Sequence, residues 1–374
     1  MNEHIYDKTP SDHKLINLTK KYNLEFIPYN QFTNVTYIAK GGFSKIYKAI
    51  WEMGKSEVVL KIYNYYNDIY ADFSNELNIN FQCRTQFSDL YFQKIYGITR
   101  DPESKKYIIV MEFALYGDLH CFLNSKKTLT LRGMLEILNF IVWDLMNLHK
   151  KNIIHCDFHS GNILINKDSR FHSPCAKITD FGRSKLVNAT SNRDVIYGII
   201  PYVAPEVLRG EPYTKQSDIY SLGMIIWEMT SGHKPFYDRE HDTDLILAIL
   251  DGLRPDFIDD TPKELVELIK KCWDNDVSKR PKASDIKFEI NQTLKNNENE
   301  PVLSKITFSY IEKICSRTIY QSRLLSSFVS SALALRNLHS NVTESTIINI
   351  NSLSSGYISR EIGLDVLNSS LMVM

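Results

Sequence analysis

The apolar pattern of the chain changes near Gly117, and this change limits the fold more than any other feature. Before it, short runs rich in β-branched and aromatic residues are separated by turn signals, and one helix-type segment interrupts them. After it, apolar residues recur at steps of three and four, which is typical of amphipathic helices. Strands first and helices second predict an α+β protein of two lobes: an N-terminal antiparallel sheet with one helix, then a mostly helical lobe.

Composition divides the chain into three parts. Residues 1–30 are polar and charge-mixed, and we interpret them as an N-terminal extension. Residues 31–294 carry the strand and helix patterns, with one lobe at about 31–113 and the other at about 117–294. Residues 295–374 are rich in Asn, Glu and Ser, which predicts a linker and a partly disordered tail. The sequence indicates no role for this last part.

Charge and cysteine content exclude several classes of partner. Lys plus Arg and Asp plus Glu both number 44, so the formal net charge is zero, and no nucleic-acid partner is expected. No apolar run approaches the roughly 20 residues of a membrane span. Six scattered cysteines without a C-x-x-C pair favour a reducing, cytoplasmic location over a disulfide framework. The oligomeric state is not indicated.

Two motifs in the second half of the chain carry the chemistry. Residues 155–162 read H-x-D-x-x-x-x-N, and Asp180 opens an Asp-Phe-Gly triplet. Asp157 is a carboxylate that could accept a proton from a hydroxyl, and Asn162 and Asp180 offer the oxygen ligands that Mg²⁺ prefers. The pattern as a whole is far more specific than any of these residues alone.

Further motifs stand around these two in a fixed order. A short hairpin with two glycines at 41–42 precedes the run Val58-Val59-Leu60-Lys61, and Ala204-Pro205-Glu206 follows the Asp-Phe-Gly triplet. Together the motifs resemble the eukaryotic protein kinase domain over about residues 30–294. The segments at 217–228 and 272–276 are most similar to the tyrosine-kinase-like and tyrosine kinase groups.

The resemblance implies a protein kinase that transfers the γ-phosphoryl group of Mg-ATP to a hydroxyl of a protein substrate, with Ser or Thr preferred. It implies that Asp157 is the catalytic base, that Asn162 and Asp180 bind Mg²⁺, and that Lys61 contacts the phosphates. It implies binding of the nucleotide at Ile38, Ala39, Lys40, Gly41, Gly42, Phe43, Ser44, Ile46, Lys61, Glu76, Met111, Glu112 and Ala114. Within this set, Glu76 would pair with Lys61, and Met111 would limit access to the rear of the pocket.

Five residues depart from the kinase pattern. Ala39 and Ser44 replace the outer glycines of the phosphate-covering hairpin. Cys156 replaces the Arg that contacts a phosphorylated loop residue in many kinases, which predicts activation without a single loop phosphorylation. His159 stands where Ser/Thr kinases carry a Lys near the γ-phosphate. Ile199 replaces the expected Thr. The preference for Ser or Thr as the acceptor is therefore less firmly indicated than phosphoryl transfer itself.

Three alternatives stay open at this point. The absence of the two outer glycines from the hairpin, together with Cys156 and His159, favours a pseudokinase that acts as a scaffold. Every catalytic residue is nevertheless present. Tyrosine or dual-specificity phosphorylation is the second alternative. Residues 155–162 also resemble the loop of small-molecule kinases, but Ala204-Pro205-Glu206 and Arg280 indicate a peptide-docking lobe that those enzymes lack.

Overall fold

The structure is a computed structural model that describes residues 17, 19–42, 44–63, 69–83, 92–125, 128–167, 174–187, 195–259, 261–296, 305–307 and 318–337. Phe43, predicted to contact the nucleotide, lies outside these residues. Across the described ranges, no helix is both long and apolar enough to cross a bilayer.

A six-stranded sheet forms the first lobe. Its strands are β1 (Glu25–Phe26), β2 (Phe32–Lys40), β3 (Ser44–Trp51), β4 (Ser56–Tyr63), β5 (Ile95–Arg100) and β6 (Tyr107–Glu112). Their order is β1-β5-β6-β4-β3-β2. All neighbours are antiparallel except β1, which pairs with β5 in parallel. The sheet is therefore antiparallel as predicted, with one added strand from the polar N-terminal segment.

Helix α1 (Ile69–Cys83) packs against one face of this sheet. Its side chains Phe73 and Leu77 are buried with Ile95, Ile109 and Met111 in one apolar cluster. This burial fixes the rotation of the helix, so the polar residues between Phe73 and Leu77 face the interlobe cleft.

The second lobe is mostly helical. Its helices are α2 (Leu119–Ser125), α3 (Leu131–Lys150), α4 (Pro205–Leu208), α5 (Lys215–Ser231), α6 (Thr243–Leu250), α7 (Lys263–Cys272) and α8 (Ala283–Asn296). The long amphipathic α3 begins at Thr130, whose side chain accepts a hydrogen bond from the Gly133 amide. Its predicted apolar stripe is buried in the largest core cluster.

Helix α5 begins at Lys215, whereas the sequence pattern, Ser217-Asp218 before an apolar run, predicts a start at Ser217. Thr214 and Ser217 form a reciprocal capping box, in which each side chain bonds the other's backbone amide. Ser217 is thus the third residue of the helix and not its cap. Every side chain from Ser217 to Ser231 is buried, which explains why the segment is apolar on all sides.

Gly232 ends helix α5 in the left-handed conformation, with φ 76°. We expect Gly232→Ala to lower the free energy of unfolding by about 1 kcal/mol, because a Cβ is disfavoured at this dihedral angle. Gly232→Asn should lower it less, since Asn tolerates the left-handed region better than Ala. Urea denaturation of the three proteins measures the effect, and equal losses for Ala and Asn would contradict it.

Short two-stranded pairs complete the lobe. Around the catalytic loop, β8 (Ile153–Ile154) pairs with β11 (Lys185–Leu186), and β9 (Ile163–Asn166) pairs with β10 (Cys175–Ile178). The C-terminal region adds two more pairs. Strand β13 (Lys305–Thr307) joins β7 (Thr128–Thr130), and β14 (Arg323–Leu324) joins β12 (Tyr197–Gly198). A helix at 326–337, α9, follows β14.

The described part of the tail is therefore packed on the domain. Leu325, Val329 and Ala332 are buried and belong to the same core cluster as the second lobe. Partial disorder of the segment 295–374 stays a prediction, since 297–304, 308–317 and 338–374 lie outside the described residues.

Candidate active site

Lys61 stands at the centre of the cleft between the lobes. Strand β4 places its side chain, 5% exposed, between two carboxylates. Its Nζ donates to Glu76 Oε2 at 2.8 Å and to Asp180 Oδ1 at 2.9 Å. Burial alone would lower the pKa of Lys61, but Asp180 and Glu76 together raise it above its usual value. The lysine is therefore charged, and it links the sheet, helix α1 and the Asp-Phe-Gly segment.

Glu76 is fully buried, and its partners compensate for the loss of water. Tyr63 donates its hydroxyl to Glu76 Oε2 at 2.8 Å, beside the bond from Lys61. Burial raises the pKa of Glu76, while Lys61 opposes this shift. The predicted Lys61–Glu76 ion pair is present, and the hydroxyl of Tyr63 adds a contact that the sequence pattern does not indicate.

Asn75 connects helix α1 to the segment that follows Asp180. Its Nδ2 donates to the carbonyl oxygens of Phe181, Gly182 and Ser184 at 3.1, 3.0 and 2.8 Å. Asp180 itself has φ 65°, a left-handed conformation that costs energy in a residue with a Cβ. The contacts of Asn75 and Lys61 hold this conformation in place. Sequence reasoning missed Asn75, which no kinase motif marks.

Asp218, at the start of α5, holds the backbone of the catalytic loop. Its carboxylate accepts from the amides of His155 and Cys156 at 2.9 and 3.2 Å, and His149 Nε2 lies 2.9 Å away. Cys156 is buried with φ 66°. Because the carboxylate accepts from two consecutive backbone amides, it stabilises the strained turn that presents Asp157.

Asn162 and Asp180 are brought together by strands β9 and β10. The Thr179 amide donates to the Asn162 carbonyl at 3.0 Å, directly before Asp180 in the chain. Asn162 Nδ2 donates to the backbone carbonyl of Asp157 at 2.8 Å, which orients the amide and leaves its oxygen for the predicted role as a metal ligand. The two predicted metal ligands and the predicted base therefore form one cluster.

Burial alters the acidity of the loop side chains. It raises the pKa of Asp157 to about 6, although a hydrogen bond from Ser322 opposes the shift. Burial also lowers the pKa of His159 to about 4, against the attraction of Asp180. His159 is thus neutral near pH 7, and it does not supply the positive charge of the lysine that it replaces.

The predicted phosphate-covering residues lie on the β2–β3 hairpin. Ile38, Ala39 and Lys40 end β2, and Ser44 and Ile46 begin β3. Gly41 closes the turn by donating its amide to the Ser44 carbonyl at 2.8 Å. The hairpin thus forms without glycine at positions 39 and 44, since both lie in ordinary strand backbone.

The predicted adenine-binding segment follows β6. Met111 is 2% exposed and packs in the apolar cluster beneath helix α1. The Glu112 carboxylate pairs with Lys177 Nζ at 2.7 Å, and its carbonyl accepts from Gln93 Nε2 at 2.9 Å. A carbonyl oxygen has two lone pairs, so a second donor can still bind there. Ala114 continues the segment, half-buried.

Gln93 is a second residue that sequence reasoning missed. Its Oε1 accepts from Thr179 Oγ1 at 2.7 Å, while its Nε2 binds the Glu112 carbonyl. One buried amide therefore links the interlobe segment to the residue before Asp180. A polar residue at the start of an apolar strand is the one signal that could have marked it.

The large lobe contains an ion pair between Glu206 and Arg280, two of the residues that indicated a peptide-docking lobe. Arg280 donates to both carboxylate oxygens at 2.7 and 2.8 Å, and both side chains are buried. Ile199, where Thr was expected, is buried in the core of the same lobe. These contacts position the segment after the Asp-Phe-Gly loop beside Asp157.

The side chain of Ser322, in the C-terminal segment, contacts two residues of the catalytic loop. Ser322 Oγ lies 2.8 Å from Asp157 Oδ1 and 3.2 Å from His159 Nε2. No sequence pattern indicates this contact, because the partners are more than 160 positions apart in the chain.

Comparisons with known proteins agree with this geometry. The family model described as the protein kinase domain matches residues 32–289. The chain is 33% identical over 282 residues to the serine/threonine-protein kinase VIK of Arabidopsis thaliana, covering 72% of this chain and 62% of that protein. It is 31% identical over 255 residues to a probable serine/threonine-protein kinase of Dictyostelium discoideum, covering 67% of this chain and 15% of that protein.

A third relative is the serine/threonine/tyrosine-protein kinase HT1 of Arabidopsis thaliana, 28% identical over 252 residues, which are 66% of this chain and 63% of the relative. The chain spans less than two thirds of the length of each of these three relatives. The matched region contains both lobes and every predicted catalytic residue. The chain belongs to the protein kinase domain family.

Proposed function

We propose that this protein is an ATP-dependent serine/threonine protein kinase. The observation that carries the proposal is the contact of Lys61 with both Glu76 and Asp180, at 2.8 and 2.9 Å, beside Asp157 and Asn162. This charge arrangement is the one that phosphoryl transfer needs for binding and orienting a nucleotide triphosphate. A scaffold would not require a buried lysine held between two carboxylates.

The residues fit Mg²⁺ and ATP. Asn162 contributes an amide oxygen and Asp180 a carboxylate, and both atom types suit a hard cation. When bound, Mg²⁺ would neutralise the charge that develops on the phosphate oxygens. Lys61 would bind the phosphates, the β2–β3 hairpin would cover them, and backbone groups between Glu112 and Ala114 would bind the adenine.

Asp157 would orient the attacking hydroxyl and accept its proton. Its pKa of about 6, raised by burial, suits a base that is ionised near neutral pH but still takes up a proton late in the transfer. Family relatives described as serine/threonine kinases support Ser or Thr as the acceptor. The six scattered cysteines, none of them in a C-x-x-C pair, support a reducing, cytoplasmic location.

The test is phosphorylation of a positional-scanning peptide library with radiolabelled Mg-ATP, followed by phosphoamino-acid analysis. We expect phosphoserine and phosphothreonine as the main products, and loss of incorporation in Asp180→Asn, which keeps the side chain's size but removes its charge. Lys270→Met is the surface control, because Lys270 is exposed on α7 and pairs with Glu267, one turn away on the same helix, at 3.2 Å.

Two results would overturn the proposal in different ways. Phosphotyrosine as the main product would show a tyrosine kinase. Equal incorporation in wild type and Asp180→Asn, at background level across the library, would favour the scaffold.

A further inference from the structure

Residues 318–325 cross the mouth of the active site and contact both lobes. On the small-lobe side, Gln321 Nε2 donates to the carbonyls of Lys40 and Gly41 at 3.2 and 2.9 Å. A Cβ at position 42 would overlap the carbonyl oxygen of Ser322, so only glycine allows the hairpin to lie this close. The segment therefore runs directly beneath the hairpin that is predicted to cover the phosphates.

On the large-lobe side, the same segment is bound as an added strand. Strand β14 pairs antiparallel with β12, and the Leu325 amide donates to the Ile196 carbonyl at 2.8 Å. Main-chain pairing of this kind is a common way for a protein to hold an extended peptide. The partner strand belongs to the loop between the Asp-Phe-Gly and Ala-Pro-Glu motifs, where a substrate peptide is expected.

Side chains on both sides of Ser322 secure its register. Tyr320 donates its hydroxyl to the Pro235 carbonyl at 2.9 Å and packs edge-on against His241. Arg323 donates to the His241 carbonyl at 2.6 Å. Beyond the strand, Leu325 is fully buried in the core of the large lobe. Between these anchors, the side chain of Ser322 points toward Asp157 and His159.

The hydrogen bonds around Ser322 define which way its proton points. His159 Nδ1 accepts the Gly161 amide at 3.1 Å, so in the neutral imidazole the proton is on Nε2. Nε2 lies 3.2 Å from Ser322 Oγ and donates to it. The Ser322 hydroxyl then donates its own proton to Asp157 Oδ1 at 2.8 Å. This is the ground-state arrangement of a hydroxyl that is about to be deprotonated.

We propose that Ser322 is an intramolecular phosphoacceptor: the site phosphorylates its own C-terminal segment, which occupies the peptide groove until it is modified. This inference rests on the proposed kinase function. It assigns Ser322 as a modification site and residues 318–337 as a substrate bound in cis.

The reaction balances with ATP as the second substrate. A lone pair of Ser322 Oγ forms a bond to the γ-phosphorus, and the bond from that phosphorus to the β,γ-bridging oxygen breaks. ADP leaves with the electron pair of that bond. The hydroxyl proton passes to the Asp157 carboxylate and then to solvent. The products are phosphoserine 322, ADP and a proton.

Phosphorylation also releases the segment. The new group brings close to two negative charges to the Ser322 oxygen, which lies 2.8 Å from Asp157 Oδ1. Like charges at such short range repel, and the groove offers the phosphate no arginine at position 156. The phosphorylated segment is therefore expected to leave, which opens the groove to other proteins.

The experiment uses the full chain after phosphatase treatment, with Mg-ATP and a peptide substrate selected from the library. We expect mass spectrometry to locate phosphate on Ser322, with a rate constant that does not change over a 100-fold range of protein concentration. Peptide phosphorylation should begin slowly and accelerate as Ser322 is modified. In Ser322→Ala the slow rate should persist, and Ser322→Thr should restore the acceleration.

Two substitutions on helix α9, one buried and one exposed, test whether the C-terminal segment occupies the peptide groove. Neither changes the active site. Ala332 is fully buried against the large lobe, whereas Ala334 is exposed on the same helix. An aspartate at 332 would bury an unpaired charge and detach the segment. We expect Ala332→Asp to raise the initial rate of peptide phosphorylation about tenfold, since 1.4 kcal/mol of lost binding already gives that factor. Ala334→Asp should behave as wild type.

The outcomes separate this inference from the proposed function. If peptide is phosphorylated while Ser322 stays unmodified, the kinase function stands and the intramolecular substrate is wrong. A Ser322 rate proportional to protein concentration would likewise overturn transfer within one molecule. If Ala332→Asp fails to phosphorylate any peptide in the library, the kinase function itself is wrong.

Discussion

Replacing Lys61 with Met is expected to lower the phosphoryl-transfer rate by roughly 10²–10³-fold, the typical loss when one preorganised charge at a reacting group is removed. Lys61 Nζ is bonded to Glu76 and Asp180 at once. Without it, Glu76 is a fully buried carboxylate that keeps the hydrogen bond from the Tyr63 hydroxyl but has lost its positive partner. The carboxylate would take up a proton, and helix α1 would lose its electrostatic attachment to the cleft.

Steady-state kinetics at several ATP concentrations measure this effect. We expect kcat to fall in Lys61→Met, because the lysine orients the phosphates and holds Asp180. Lys61→Arg should recover part of the loss, since it restores the charge but not the shape of the contact. Lys270→Met, on the surface of α7, should keep wild-type kinetics. A change confined to KM for ATP would show that Lys61 contributes to binding alone.

Replacing Arg280 with Ala is expected to lower the free energy of unfolding by about 3–5 kcal/mol, the usual cost of leaving one buried charge without its partner. Glu206 is 2% exposed and loses both of its bonds from Arg280. The substitution also removes donors from the Gln216 and Asp274 carbonyls. Urea denaturation, monitored by tryptophan fluorescence, gives the difference.

A surface ion pair provides the matched control. Lys271 Nζ lies 3.1 Å from Glu289 Oε1, nearly the distance found at Arg280, but about half of each side chain is exposed. Lys271→Met should therefore cost less than about 1 kcal/mol. If both substitutions lower the free energy of unfolding by the same amount, burial does not explain the contribution of the Arg280 pair to stability. Arg280→Ala combined with Glu206→Gln should be less destabilising than the sum of the two single changes.

Most of the fold was predictable from local patterns. The strand runs before Gly117 and the helical periodicity after it are strong signals, and the structure contains the sheet and the long helix α3 that they predict. Motif spacing likewise indicated Lys61, Asp157 and Asp180, because the roles of these residues depend on chemistry that few other side chains can supply. The start of α5 was predicted less well, since a capping box between Thr214 and Ser217 is a contact and not a pattern.

The residues that sequence reasoning missed act through contacts between distant parts of the chain. Asn75 and Gln93 donate to backbone carbonyls, and a backbone partner leaves no mark in the sequence around it. Ser322 is one serine among many in a polar segment, and nothing near it distinguishes it from the others. Its distance from Asp157 follows from the packing of Leu325 and α9, which only the folded chain shows.

The three bonds of Asn75 have a consequence for how the small lobe can move. Because one side chain on α1 holds the carbonyls of Phe181, Gly182 and Ser184, the helix and this loop are joined mechanically. Rotation of α1 that separates Glu76 from Lys61 would also have to break these bonds. Loss of the ion pair and rearrangement of the Asp180 segment would therefore be coupled, since helix α1 cannot rotate away from Lys61 while the Asn75 bonds hold.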